Sequence, residues 1–342
     1  MESPRGKLLI AVCSSGNALA NSVLKSYKES FPLGGDSEEP FFLPGIDFRF
    51  SDSETCVRLN RDVSGCDVYL FQGLYDPESG GGVDRNLMSL FAAIRAFREW
   101  GSRHVTVIVP YFAYARQDRP SRSRREPTTA RLVSDLMIEC GIDRVITVHP
   151  HVPIHALFGK IPVHSIETTD LFTEEFSAFK GRKDVVAVAP DGGALKFVSR
   201  FGRALGIRTA VALKERSSDG SVASELVGEM KGKTIAVVLD DMISSGGTIY
   251  EVVRKLAEMA IPQIMVGATH NLCMESARAR LTELNANYNL KKVVVTDSIT
   301  QPGSFLPLPF LKVKTLANII AKIINRVHYE YPVDEIRNAV DN

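Results

Sequence analysis

Cysteine is scarce and unpatterned in this 342-residue chain. Cys13, Cys56, Cys66, Cys140 and Cys273 are odd in number, scattered and without CxxC spacing, which argues against a disulfide framework and for a reducing compartment. No charge of one sign dominates: 41 Lys and Arg face 40 Asp and Glu. A net charge of +1 supplies no global field that would draw the protein onto nucleic acid or an anionic membrane. Long apolar runs are missing too. The opening "MESPRGKLLIAVCSSGN" is too short in apolar residues for a secretory signal, and no stretch reaches bilayer length. The expected location is the cytoplasm, with no nucleic-acid or membrane partner. What remains, 44% hydrophobic and 24% charged residues, is the make-up of a soluble globular protein long enough for two domains.

Short β-branched runs alternate with amphipathic segments almost throughout. Strands are expected at 7–12, 67–72, 104–110, 144–148, 184–190, 209–213, 234–240, 263–269 and 291–297. Several are apolar at successive positions, as strands buried on both faces must be. Helical spacing links Leu87, Leu90, Phe91, Ile94 and Phe97. It recurs in Ile249, Val252, Val253, Leu256 and Met259. "PTTARLVSDLMIECG" reads as a helix with Pro127 in its first turn and Gly141 at its end. Alternation of this kind predicts an α/β fold of two similar domains, each a mainly parallel sheet flanked by helices. The expected bounds are 7–165 and 166–320, with a terminal helix or tail at 321–342. No close repeat supports the duplication, which rests on pattern alone. The Gly-, Pro- and acid-rich stretches 31–40 and 75–83 read as loops.

In "VVLDDMISSGGTIYE" (237–251), two aspartates at the end of a buried strand precede a loop of small and hydroxylated residues, and a helix follows. Unpaired carboxylates at such a place are costly, so they predict a ligand. Glycines and a helix N-terminus welcome an anion. The GxxxxGK[ST] spacing of a Walker loop is absent. A sugar phosphate satisfies both halves, its hydroxyls at the acids and its phosphate at the loop. Taken alone, SSGGT favours a capped strand-to-helix turn, and the two preceding aspartates reverse that balance.

"VVLDDMISSGGT" resembles the ribose-phosphate loop of the type I phosphoribosyltransferase fold. The resemblance assigns Asp240 and Asp241 to the ribose hydroxyls and metal, and Ser244, Ser245, Gly246, Gly247 and Thr248 to the 5-phosphate. "PYFAYARQDRPSRSRR" (110–125) carries Arg116, Arg119, Arg122, Arg124 and Arg125, suited to forked phosphate contacts or base stacking. Five arginines alone leave open a solvated basic loop or a nucleic-acid patch. Its wording resembles the nucleotide-binding segment of ribose-phosphate diphosphokinases (PRPP synthetases), which implies ATP contacts by Arg116, Gln117 and Asp118. "FRFSDSETCVRL" (48–59) is similar to the adenine-side segment of that family, where Phe50, Asp52 and Glu54 reach the ATP site of a neighbouring subunit. The histidines 149, 151, 155 and 164 invite a zinc reading that no cysteine or acid pattern completes. The resemblance instead implies that His151 is a magnesium-linked residue near ATP, and that Asp191, in "APDGGALKF", binds metal and pyrophosphate. "VALKERSSDG" (211–220) matches the start of the catalytic loop, with Lys214 and Arg216 over the transferring phosphates.

Four positions depart from the family pattern: Ser121 and Ser244 stand for frequent aspartates, His149 for a common Asp, and Ala194 for a second Gly. The resemblance, spanning about 8–326, implies a Mg²⁺-dependent diphosphokinase acting on ATP and ribose 5-phosphate, and a homo-oligomer built from dimers. A non-catalytic regulatory subunit and a nucleobase phosphoribosyltransferase are the alternatives.

Overall fold

The structure, a computed structural model, describes residues 3–31, 39–78, 82–120, 125–216 and 222–333, with the backbone alone at 214–216 and 222–224. The expectations for Ser121, Arg122 and Arg124, for most of the loops 31–40 and 75–83, and for 334–342 lie outside the described residues. Contacts divide the chain into two compact units: residues 1–166, 298–300 and 315–342, and residues 167–297 and 301–314.

The first unit is built on strands β1 (Leu8–Val12), β2 (Phe41–Pro44), β5 (Asp67–Phe71), β6 (His104–Ile108), β7 (Arg144–Val148) and β8 (Val163–Ile166), in the order β2-β1-β5-β6-β7-β8. All neighbours run parallel. β3 (Asp47–Arg49) and β4 (Thr55–Val57) form a separate antiparallel hairpin. β1 and β5 are buried at every position, because helices cover both sheet faces. Leu9, Ala11, Val68, Leu70, Val105 and Val107 face helices α2 (Gly82–Glu99) and α3 (Thr129–Cys140), whose Leu87, Leu90, Ile94, Phe97, Val133 and Met137 share one cluster. α1 (Asn17–Ser30) follows β1. Pro127 does not enter the first turn of α3. Thr128 is the N-cap, and its carbonyl accepts the N–H groups of Arg131 and Leu132 at 3.1 and 3.2 Å, so the proline lies one residue before the cap.

The second unit has β9 (Val185–Ala189), β10 (Arg208–Arg216), β11 (Val222–Val227), β12 (Ile235–Ile243), β13 (Gln263–Asn271), β14 (Leu290–Thr296) and β15 (Leu311–Lys314), in the order β11-β10-β9-β12-β13-β14-β15. Only the β10–β11 pair is antiparallel. Alternate residues of the central strands feed two cores. Val186, Val188, Ala236 and Val238 meet α6 (Gly247–Glu258) and α7 (Glu275–Asn287). Val185, Ala187, Ala189, Val237 and Leu239 meet α4 (Thr169–Glu175) and α5 (Leu195–Leu205). At the β15 edge the Glu175 carboxylate takes Lys292 at 2.5 Å, Lys312 at 2.8 Å and Lys314 at 3.5 Å. Although burial works against its charge, these lysines bring its pKa down to about 2.

The chain then returns to the first unit as α8 (Ala317–His328), which packs on α1 with Asn325 Nδ2 donating to the Tyr27 hydroxyl at 3.2 Å. Its last residue, His328, places Nδ1 2.8 Å from Asp67 Oδ2, and Arg5 pairs with the same carboxylate at 3.1 Å. A buried acid shared by both chain ends explains why this helix joins the first unit rather than standing apart. Helix structure stops at His328, with Tyr329 as its C-cap. Among the described residues no helix is long and apolar enough to cross a membrane.

Candidate active site

Strand order in the second unit reverses between β9 and β12. After β9 the chain moves outward to β10, while β12 starts the opposite half of the sheet. At such a reversal the connections diverge and leave a crevice beyond the carboxyl ends of the strands. The register Val188↔Val238 sets β9 and β12 side by side. β9 therefore runs out into Asp191 as β12 reaches Asp240 and Asp241.

The three acids repel. Loss of hydration comes first, then the Asp241 charge, with Asp191 contributing, and together they hold the Asp240 carboxyl well above the ordinary carboxylate range. One backbone N–H, that of Asp241, donates to Asp240 Oδ1 at 2.9 Å and works in the opposite direction. Asp191 Oδ1 accepts the N–H groups of Gly193 (2.9 Å) and Ala194 (3.2 Å), tying its turn to the start of α5. Ala194 sits at φ −76°, a conformation open to any residue, and its side chain is buried in the core below. Alanine for glycine therefore costs no backbone strain here.

The loop after β12 is shaped by α7. Gly246 adopts φ +78°, which favours glycine, and a Cβ on it would press to 3.2 Å from the Ala277 Cα. The first intrahelical bond of α6 runs from the Tyr250 N–H to the Gly246 carbonyl at 2.9 Å. The N–H groups of Gly247, Thr248 and Ile249 precede it and lack an i−4 partner within the helix. No acid lies in this first turn. Ser244 directs its hydroxyl at the Met274 sulfur, 3.6 Å away. Sequence reading missed Arg280, whose Nη1 donates to the Ser245 carbonyl at 2.6 Å. Only its helical spacing from Ala277 hinted that it faces the loop.

Lys214 and Arg216 lie on β10, which pairs Val211 with Ala189 and continues beyond the end of β9 at the Asp191 edge. Their side chains, and residues 217–221, lie outside what the structure describes.

In the first unit the residues expected to meet a nucleotide follow two neighbouring strands. Arg116, Gln117 and Asp118 follow β6, while His149 and His151 follow its parallel neighbour β7. Tyr114 (φ +66°) turns the chain, and the Thr129 hydroxyl donates to Gln117 Oε1 at 2.6 Å. Arg116 and His151 are exposed. Phe50, Asp52 and Glu54 form the tip of the β3–β4 hairpin. Glu54 donates its N–H to Asp52 Oδ1 at 3.0 Å, the Phe50 carbonyl accepts the Ser53 N–H at 3.0 Å, and the Phe50 N–H donates to the Glu54 carbonyl at 3.0 Å, leaving a Phe50 ring that is 49% exposed. No group of three His, Cys, Asp or Glu side chains suited to a metal ion occurs among the described residues.

The profile of the N-terminal domain of ribose phosphate pyrophosphokinase matches residues 44–141, and that of the phosphoribosyl transferase domain matches 160–298. The ribose-phosphate pyrophosphokinase of Vibrio vulnificus is 34% identical over 292 residues, covering 85% of this chain and 90% of the relative. The Clostridium acetobutylicum protein of the same name is 32% identical over 290 residues, covering 84% and 87%. Among solved structures, phosphoribosylpyrophosphate synthetase from Mycobacterium smegmatis aligns with a TM-score of 0.79 and 28% identity, covering 94% of this chain and 98% of that one.

Proposed function

Because the chain belongs to the ribose-phosphate pyrophosphokinase family, we propose that its β9/β12 crevice binds ribose 5-phosphate for an attack on ATP. The chain is an ATP-dependent diphosphotransferase: the β,γ-diphosphoryl group of ATP passes to the C1 hydroxyl of ribose 5-phosphate, giving 5-phosphoribosyl 1-diphosphate and AMP. The O1–Pβ bond forms as the bond from Pβ to the α-phosphate oxygen breaks, so AMP leaves with its phosphate. Such a transfer depends on positioning and charge neutralisation.

One observation carries the assignment of residues: at the sheet's reversal point, where β9 and β12 run side by side, a partly buried Asp240 stands beside Asp241, and lost hydration together with the charges of Asp241 and Asp191 pushes its carboxyl above the ordinary range. Ribose hydroxyls donating to Asp240 and Asp241 relieve that cost. The 5-phosphate takes the N–H groups at the start of α6 and the hydroxyls of Ser244, Ser245 and Thr248. Lys214 and Arg216 close over the diphosphoryl group and keep water from competing for it. Arg116, Gln117, Asp118 and His151 hold the ATP phosphates. Phe50, Asp52 and Glu54 serve the adenine side of a neighbouring copy, in keeping with the exposed Phe50 ring.

The acids fit Mg²⁺, a hard cation that takes oxygen ligands and commonly keeps only one or two protein carboxylates beside substrate phosphates and water. In the second unit Asp191 and the Asp240/Asp241 pair would hold it, the family resemblance makes His151 a metal-linked residue of the first unit, and when bound the ion would offset charge on the phosphates. We place the enzyme in the cytoplasm, as a homo-oligomer.

The test is incubation of purified protein with ATP, Mg²⁺ and ribose 5-phosphate, scored by chromatography. AMP and 5-phosphoribosyl 1-diphosphate in equal amounts are expected. No AMP, alone or with a homologous subunit, would leave a regulatory or base-transferring role.

A further inference from the structure

The loop that receives the 5-phosphate is braced from behind by one face of α7. Met274 touches Ser244, Ala277 lies under Gly246, and Arg280 reaches the Ser245 carbonyl. Positions 277 and 280 are one turn apart and stack on the same side of the helix. The turn before α7 is itself held. Asn271 Oδ1 accepts the Cys273 N–H at 3.2 Å, and Asn271 Nδ2 donates to Gln301 Oε1 at 2.8 Å. Arg278, the other arginine of this turn, is engaged by Glu275 through Nε at 2.9 Å. Arg280 is thus the cation turned to the loop.

From this contact we infer that Arg280 is a positioning residue for the 5-phosphate: by holding the Ser245 carbonyl outward it keeps the Gly246 N–H turned to the opposite side, toward the ligand. In a trans peptide the carbonyl and the next N–H point in opposite directions. A peptide that precedes a glycine flips more readily than others, because glycine adopts positive and negative φ with similar ease. A flipped Ser245–Gly246 peptide would present an oxygen to the phosphate in place of a donor. Arg280 opposes that flip with a charge-assisted hydrogen bond. Its positive charge also lies within reach of the loop, with Nη1 3.9 Å from where a Gly247 Cβ would stand.

This inference rests on the assignment of the loop to ribose 5-phosphate. Arg280→Met keeps the aliphatic contact over Gly246 and loses donor and charge, while Arg280→Lys keeps charge and one donor without the planar fork. Binding of ribose 5-phosphate to the full-length wild type and both variants is measured by titration calorimetry, alongside KM for each substrate. In Arg280→Met, Kd and KM for ribose 5-phosphate rise about tenfold or more, well beyond the change in KM for ATP. Arg280→Lys recovers a large part of the loss. Equal ribose 5-phosphate affinity in Arg280→Met and wild type overturns the inference. So does an equal rise in both KM values with a matching fall in melting temperature, the mark of a purely structural role. A wild type that binds ribose 5-phosphate yet forms no AMP overturns the reaction assigned above, and the Arg280 comparison still reads out on Kd.

Discussion

The two units contain the same kind of crevice and treat it in opposite ways. In the first, the strand order reverses between β1 and β5, and the space beyond them is filled by protein. A Cβ on Gly73 would stand 2.3 Å from the Ser15 carbonyl, and one on Gly16 would stand 3.0 Å from that of Phe71. Ser15 donates to Asn86 Oδ1 at 3.2 Å, Asn86 Nδ2 donates to the Leu74 carbonyl at 3.3 Å, and Gln72 Nε2 donates to the Asn86 carbonyl at 2.8 Å. In the second, the equivalent reversal is lined by three acids and a glycine loop. The residues proposed for ATP lie elsewhere in that unit, after β6 and β7 and on the β3–β4 hairpin. The fold offers a ligand site at each reversal, and the residues there decide whether it is used.

The largest break in that comparison is expected from the second unit's chemistry. Lys214→Ala lowers turnover by roughly 10²-fold or more, with ribose 5-phosphate binding largely kept. Steady-state kinetics with calorimetry reads both, and normal turnover would remove Lys214 from the reaction. Next, Gly73→Ala forces a side chain into the closed crevice of the first unit and costs about 1–3 kcal/mol of stability. An unchanged denaturant midpoint would mean that this crevice has room after all. The smallest effect lies at the sheet edge. Glu175→Gln lowers stability by about 1 kcal/mol at neutral pH. Because the folded pKa of Glu175 lies near 2, below its usual 4.5, its contribution is complete above pH 4.5 and fades as pH falls toward 2. The melting curves of variant and wild type should converge over that range.

The buried central strands were legible because residues such as Val185–Ala189 are apolar at every position, a pattern that only a sheet covered on both faces permits. β2, β8 and β15 were not, because each lies at a sheet edge, is four residues long and is only partly buried, which erases the apolar run. β11, the antiparallel edge beside β10, was not expected either, since its run Val222–Val227 mixes Ser224 and Glu225 with apolar residues. Asp240 and Asp241 stood out as acids closing a buried apolar strand, whereas Asp191 was named only through the resemblance of "APDGGALKF" to a family turn. Arg280 could not be picked out, since its role depends on α7 folding back beneath a loop 35 residues earlier. Proline position misled at Pro127, where the Thr128 carbonyl, rather than the ring, sets the helix start.

The raised pKa of Asp240 gives the most direct test of the second crevice. A carboxyl held above its unfolded value destabilises the empty protein as pH rises from the ordinary carboxylate range through the folded pKa, and a cation or hydroxyl donor removes that cost. Ribose 5-phosphate binding is therefore measured by calorimetry with increasing Mg²⁺, alongside melting temperature at neutral pH, in wild type and Asp240→Asn. Affinity in the wild type should strengthen with Mg²⁺, while Asp240→Asn should melt higher when empty and bind weakly with little response to the cation. Equal affinity and equal Mg²⁺ dependence in the two proteins would contradict the assignment of this crevice.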